Sequence, residues 1–306
     1  MGAAVGHAPR KPQRLARGEW VRAFKEAFKS FLADDCMGLA QQIAYSSLLA
    51  FFPAVIGLVG LLGVLNAYDS LKSFIDPVAP HAVSQLLDTF SEDSGGSGSG
   101  IAFVAGLAGA VWAASGAMGA VVKAVNRAYD RIETRPFWKV RIISIVLVLA
   151  AAIVIAGTLL LIVLGGTLGH AIARQAHAGG AFTVTWDILR WPAAFGAVLL
   201  LFALVYYLAP NAEQRRWEWL TPGAVVGALT WIALSGLFAL YTSFSNSYTK
   251  TYGTLAAGIV LLLWLNYSAW AVLFGAELNA HLDRQADIHA AGGERAGLTR
   301  FARRTR

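Results

Sequence analysis

The chain has 306 residues, 57% of them hydrophobic and only 14% charged, with a mean hydropathy of +0.55. A soluble domain carries roughly a quarter charged residues, so this composition excludes an average soluble fold and points to an integral membrane protein. The net charge of +7 would suggest a nucleic-acid partner in a soluble protein, but in a membrane protein it is accounted for by basic loops on one side of the bilayer.

Residues 1–18 are rich in Pro, Gly and Arg and are expected to form a disordered basic tail. Residues 19–33 place Trp20, Phe24, Phe28, Phe31 and Leu32 at helical spacing, with Arg22, Lys25 and Lys29 largely off that stripe. This pattern predicts a short amphipathic helix on the membrane surface. No apolar run precedes the first long span, so no cleavable signal peptide is expected. The single cysteine, Cys36, has no partner for an internal disulfide.

Six apolar segments follow, at about 37–65, 101–125, 142–168, 191–209, 221–243 and 253–278. Each is near or above the ~20 residues that cross a bilayer as a helix. The alternating short segments of a membrane barrel are not seen. The expected fold is all-α: a polytopic membrane domain over 19–283, an outer loop at 66–100 and a basic tail at 284–306. Of the 25 Lys and Arg residues, 21 fall on the side of the N-terminus and four on the other. That bias predicts six spans with both termini cytoplasmic.

Polar groups inside spans are costly and are functional candidates by default. In the first span Asp34, Gly38, Gln41, Tyr45 and Phe52 share one helix face, with Gln42 and Ser46 beside it, and Asp34 and Asp35 begin the span at its cytoplasmic end. That face is expected to turn toward other helices, either to bond between helices or to line a hydrated cavity. Pro53 lies inside the same helix and is a candidate kink. Lys123, Asn126 and Arg127 are expected on one face at the cytoplasmic end of the second span. Glu277 and Asn279 end the sixth span at that level, and Asn266 lies in mid-span. Two readings stay open for the charges: pairing between helices, or ordinary interfacial solvation. The pairs Ser115/Gly119 and Gly223/Gly227, each four apart, predict close helix packing.

Catalytic signatures are missing. The six histidines give no metal-ligand spacing, and there is no nucleophile elbow or Walker loop. No cofactor, metal or nucleic-acid partner is expected; membrane lipids are.

Three stretches, "DDCMGLAQQIAYSSLLAFFP", "AVNRAYDRIETRPFWKVR" and "TPGAVVGALTWIALSGLFALYTSFSNSYTKTYGTLAAGIVLLLWLNYSAWAVLFGAELNA", resemble the YihY/BrkB family of bacterial inner-membrane proteins, over about residues 20–283. The resemblance implies a six-span inner-membrane fold, linked in some members to serum resistance and virulence. Transport of solutes, ions or lipids is proposed for some members, and the family carries an old label as ribonuclease BN. The spans, the polar stripe, Pro53 and the gathered charges point to a transporter or lipid-translocating protein, with a structural or partner-binding envelope protein as the alternative. Gln41 and Gln42 depart from the small residues more usual in relatives. The family supplies no catalytic residues to carry over, and scattered acids disfavour a nuclease.

Overall fold

A computed structural model describes residues 17–64, 98–159, 161, 175, 180–211, 221–243 and 255–290. The terminal tails, 65–97 with the expected outer loop, most of 160–179, 212–220 and 244–254 lie outside the described residues. Seven helices and no strand are present among the described residues. They are α1 (Arg17–Ala33), α2 (Cys36–Val64), α3 (Gly98–Ala128), α4 (Phe137–Leu159), α5 (Gly180–Leu208), α6 (Pro222–Ser243) and α7 (Leu255–Ala290).

Five stretches are long and apolar enough to cross a membrane: Val104–Ala128, Phe137–Thr158, Phe182–Leu208, Pro222–Thr242 and Gly258–Gln285. The remaining expected span, α2, has 29 residues, or about 44 Å of helix; its side chains at 54–64 lie outside the described residues. Large apolar side chains such as Ile153, Leu237 and Trp138 are exposed on the outer faces. Such a surface suits a lipid solvent rather than water.

Helix ends differ from the sequence expectation where polar residues hid them. α4 begins at Phe137, because the Pro136 carbonyl accepts from the Lys139 and Val140 N–H groups and starts the helix there. α5 begins before Asp187 and Arg190, which lie 3.5 Å apart as an i,i+3 pair, and it runs on through Pro192. α7 continues to Ala290, well beyond the expected end at 278.

α1 and α2 are joined by a tight turn. The Asp34 N–H donates to the Ser30 carbonyl at 2.8 Å, closing α1, and Leu39 N–H donates to the Asp35 carbonyl at 3.0 Å, opening α2. Asp35 sits at φ 55°, a left-handed position that Asp tolerates better than most residues. α1 lies across α7. Its Ala23 and Ala27 pack on Leu278 and Leu282, and Phe31 meets Trp270 and Phe274 edge to face. The bundle-facing stripe is thus Ala23, Ala27 and Phe31, while Phe24, Phe28 and Leu32 stay largely exposed. α2 packs against α3, with Pro53 3.7 Å from where a Cβ on Gly109 would sit. α7 is the central helix: every residue from Gly275 to Ala280 is buried.

Candidate functional site

The near end of the bundle, where α2, α4 and α6 begin, gathers most of the polar groups. Three connected sets can be traced upward from their helices.

The first joins α6 to α7. Thr221 precedes Pro222 and Gly223, a helix-start pattern with Pro at the first helical position. Thr221 Oγ1 accepts from Ala224 N–H at 3.1 Å. Asn279 reaches across from α7: its Oδ1 accepts from Gly223 N–H at 2.8 Å, and its Nδ2 donates to Thr221 Oγ1 at 3.0 Å. A side chain on one helix therefore satisfies an orphan donor at the start of another. Gly227 is equally confined, since a Cβ there would come within 2.9 Å of Phe202 and the Tyr206 hydroxyl. Tyr206 of α5 completes the junction by donating to the Val272 carbonyl at 2.7 Å. The expectation that Gly223 and Gly227 permit close packing holds.

The second set ties the α3–α4 loop to the end of α5. Asn126 is buried; its Nδ2 donates to Glu133 Oε2 at 2.9 Å and its Oδ1 accepts from Asn211 N–H at 2.7 Å. Asn211 Nδ2 donates in turn to the Ile132 carbonyl and to Thr134 Oγ1. Arg135 pairs with Glu133 at 2.6 Å and donates to the Ala209 carbonyl at 2.8 Å, placing a cation on the carbonyl end of α5. The Arg135 guanidinium holds the Glu133 carboxyl below its usual range, against a smaller opposing effect of burial.

The third set surrounds the α1–α2 turn. Asp34 lies 3.6 Å from Arg127, and Arg284 pairs with Asp130. Burial pushes the Asp34 carboxyl above its usual range and Asp130 adds to this, while Arg127 and Arg284 oppose it. Beneath this layer lies Glu277, wholly buried at 0% exposure. The Cys36 thiol donates to its Oε1 at 3.6 Å, and its Oε2 has no hydrogen-bond partner. One turn further along α7, His281 Nε2 lies 2.9 Å from Ser30 Oγ.

The sequence-predicted residues divide accordingly. Of the two readings left open for the charges, Asp34 and Arg127 take the paired one, at 3.6 Å with Arg127 still largely exposed. Glu277 is neither at the end of its helix nor paired with a base among the described residues: α7 runs on past it, and its contact is the Cys36 thiol of α2. Lys123 and Arg127 are exposed while Asn126 points inward. A spacing of four keeps the two bases together, and one residue's 100° rotation carries Asn126 away. Gln41, Gln42 and Tyr45 are exposed, Tyr45 at 61%. They do not face other helices of the bundle. α2 turns its small residues Cys36, Ala40 and Ala44 inward instead, since those let α3 and α7 approach closely. Asn266 is half-buried in mid-span, with an Oδ1 that has no partner. Asp35 is exposed, its carboxylate folded over the first turn of α2 at Gly38. Sequence reasoning missed Tyr206, Asn211, Thr221, Asp130 and Arg284. Of these, only the Thr-Pro-Gly pattern at 221–223 carried a readable signal. No group of three or more His, Cys, Asp and Glu fit to hold a metal occurs among the described residues.

Known proteins place this arrangement in a family. Residues 27–297 match the family described as Virulence factor BrkB. The ribonuclease-like protein YfkH of Bacillus subtilis is 34% identical over 168 residues, covering 55% of this chain and 61% of that protein. A UPF0761 membrane protein of Laribacter hongkongensis is 32% identical, over 38% of this chain and 30% of its own length. One from Idiomarina loihiensis is 33% identical, over 32% and 34%. The matched stretches thus span less than two thirds of each of these relatives. No solved structure matches the chain. With a family match across nearly the whole membrane domain, and helices of membrane-spanning length beneath it, the chain belongs to the BrkB family of integral membrane proteins.

Proposed function

We propose that the chain is a six-span bacterial inner-membrane protein, with both termini cytoplasmic, that moves a lipid or another solute across the bilayer. The observation that carries this reading is the exposed stripe of Gln41, Gln42 and Tyr45 on α2. Counted from Cys36, it reaches about 14 Å along the helix, into the depth of one leaflet. The Gln41 and Gln42 amides have no hydrogen-bond partner on another helix among the described residues, and hydrocarbon offers none. A polar headgroup or solute passing along α2 would supply it. On this reading Asp34, Lys123 and Arg127 mark the cytoplasmic entrance, with Glu277 buried beneath it, and the chain acts without catalysis, cofactor or nucleic acid.

The test is reconstitution of the full chain into vesicles, with labelled phospholipids and a panel of ions and osmolytes as cargo. Movement by the wild type, lost in a folded Gln41→Leu/Gln42→Leu variant, is expected. A wild type that moves none of these cargoes overturns the reading, as would metal-dependent RNA cleavage abolished by a single substitution.

A structural role in an envelope complex is the second reading. The mutual bonding of Asn126, Glu133, Arg135 and Asn211, and the separate bonding of Asn279 to Gly223 and Thr221, favour it, since those groups serve as clamps. A stoichiometric partner recovered from native membranes, with no transport by the pure protein, would establish it.

A further inference from the structure

The geometry points to a binding site for the phosphate of a membrane lipid, built from Arg141 of α4 and Trp112 of α3. The Arg141 guanidinium lies 3.8 Å from the centre of the Trp112 ring. Its NH2 group donates to the Trp112 carbonyl at 2.9 Å. Its Nε is buried without an acceptor. No acid pairs with it among the described residues, although a guanidinium has five N–H donors and keeps its charge.

The depth of this group is what demands an explanation. Arg141 NH1 lies 3.8 Å from where a Cβ on Gly116 would sit. Gly116 lies well inside α3 (Gly98–Ala128), twelve residues and about 18 Å from its Ala128 end. Ser144, three residues further along α4, is level only with Gly119. α3 and α4 run in opposite directions, so the Arg141 side chain points past Ser144 toward the middle of the bilayer. An arginine near a helix end ordinarily extends the other way, to the headgroups. Here the cation is carried inward and laid on an aromatic face, and Trp112 itself is 64% exposed on the outside of the bundle. The side facing Gly116 has no side chain to cover it.

A cation about 18 Å from the Ala128 end of α3, on an open face and with no acid beside it among the described residues, calls for an anion that can reach that depth. A lipid phosphate can, with its acyl chains remaining in hydrocarbon. The planar fork of arginine, oriented by Trp112, suits a phosphate's paired oxygens. This deepens the translocation reading by naming the group handled, and rests on it only for the lipid's movement. Binding is a separate observable.

The test is native mass spectrometry of the detergent-purified full chain, titrated with phosphatidylglycerol, with diacylglycerol of the same acyl chains, or with inorganic phosphate. One retained phosphatidylglycerol per chain is expected, at least ten-fold preferred over diacylglycerol and not displaced by millimolar phosphate. Arg141→Gln and Gly116→Leu should each lower retention at least ten-fold, the second by covering the NH1 side with Arg141 intact. Lys139→Gln, a basic change at the start of the same helix, should leave it within two-fold. Equal retention of diacylglycerol, displacement by phosphate, or full retention in a folded Gly116→Leu protein would each overturn the site. Lipid that binds in this way but is not moved in vesicles would keep the site and sink the transport reading.

Discussion

Gly223 and Gly275 meet backbone to backbone: a Cβ on Gly223 would lie 2.1 Å from the Gly275 carbonyl oxygen, and a Cβ on Gly275 would lie 2.5 Å from that of Gly223. The Tyr206 side chain also crowds the Gly275 position and Asn279 the Gly223 position, but the two carbonyl oxygens are main-chain atoms that no rotamer change can move aside. Gly275→Ala should therefore separate α6 from α7 and cost about 1–3 kcal/mol, the usual range for overpacking, or more. The shift in thermal unfolding of the purified protein measures it. Gly157, with nothing within 4 Å of its would-be Cβ, is the control: Gly157→Ala should leave the midpoint unchanged or slightly raised. Equal effects at the two sites would mean that α6 and α7 do not touch here.

Asn279 secures the same junction by bonding rather than by shape. Asn279→Leu would leave Gly223 N–H and Thr221 Oγ1 without their partner on α7. A buried donor left without an acceptor costs about 1–3 kcal/mol. Asn279→Asp keeps the acceptor for Gly223 and loses only the donor to Thr221, and its charge sits at a helix start where negative charge is favourable. The expected order of thermal stability is wild type, then Asp, then Leu. An Asp variant less stable than Leu would show that the anion's desolvation outweighs the cap.

These two contacts also show what was legible in the sequence. The Gly223/Gly227 spacing announced a close approach, and long apolar runs announced the helices, because both properties are local. The rotation of a helix about its axis is not local. On α2 the stripe through Gln41 and Tyr45 and the stripe through Ala40 and Ala44 have the same period, and only the neighbours decide which faces inward. Small size won over polarity, since α3 and α7 come close. The same holds for Asn126 beside Arg127: one turns in to Glu133 and Asn211, the other out to Asp34. The end of α7 was illegible because a charged residue looks like a helix leaving the membrane unless one knows that α1 lies over it.

Glu277 separates burial from solvation by substitution. Glu277→Gln retains an oxygen that can accept from the Cys36 thiol, in a side chain of nearly equal volume. It should keep the fold, with a loss of about 1 kcal/mol or less. Glu277→Lys places a longer cation where Cys36, Ala276 and Leu278 are all closed to solvent. An uncompensated buried charge costs about 3–5 kcal/mol, so this variant should fail to assemble or unfold far below the wild type. Yield and melting temperature in detergent distinguish the two. A well-folded Lys variant would mean that the end of this side chain reaches water or headgroups.

Acid should loosen the α3–α4 loop before it loosens the α1–α2 turn. The Glu133 carboxyl is held below its usual range, chiefly by its hydrogen bonds from Arg135. A lowered folded value means that Glu133 contributes stability above its unfolded value, about 4.3, and that this is lost as pH falls through the folded value. Asp34 has the opposite sign. Its folded value is raised, chiefly by burial, so its contribution is present below the unfolded value and lost as pH rises through the folded one. Protonating Glu133 also releases Arg135, which otherwise donates to the Ala209 carbonyl at the end of α5. Hydrogen exchange at residues 129–135, corrected for the intrinsic rate, should therefore show protection at neutral pH that falls as the pH drops below about 4. Amides of the Asp34–Asp35 turn should keep theirs. Glu133→Gln should start with weaker protection and show little further change with pH. A wild-type loop equally protected across this range would mean that Asn126 and Asn211 hold it without the Glu133–Arg135 pair.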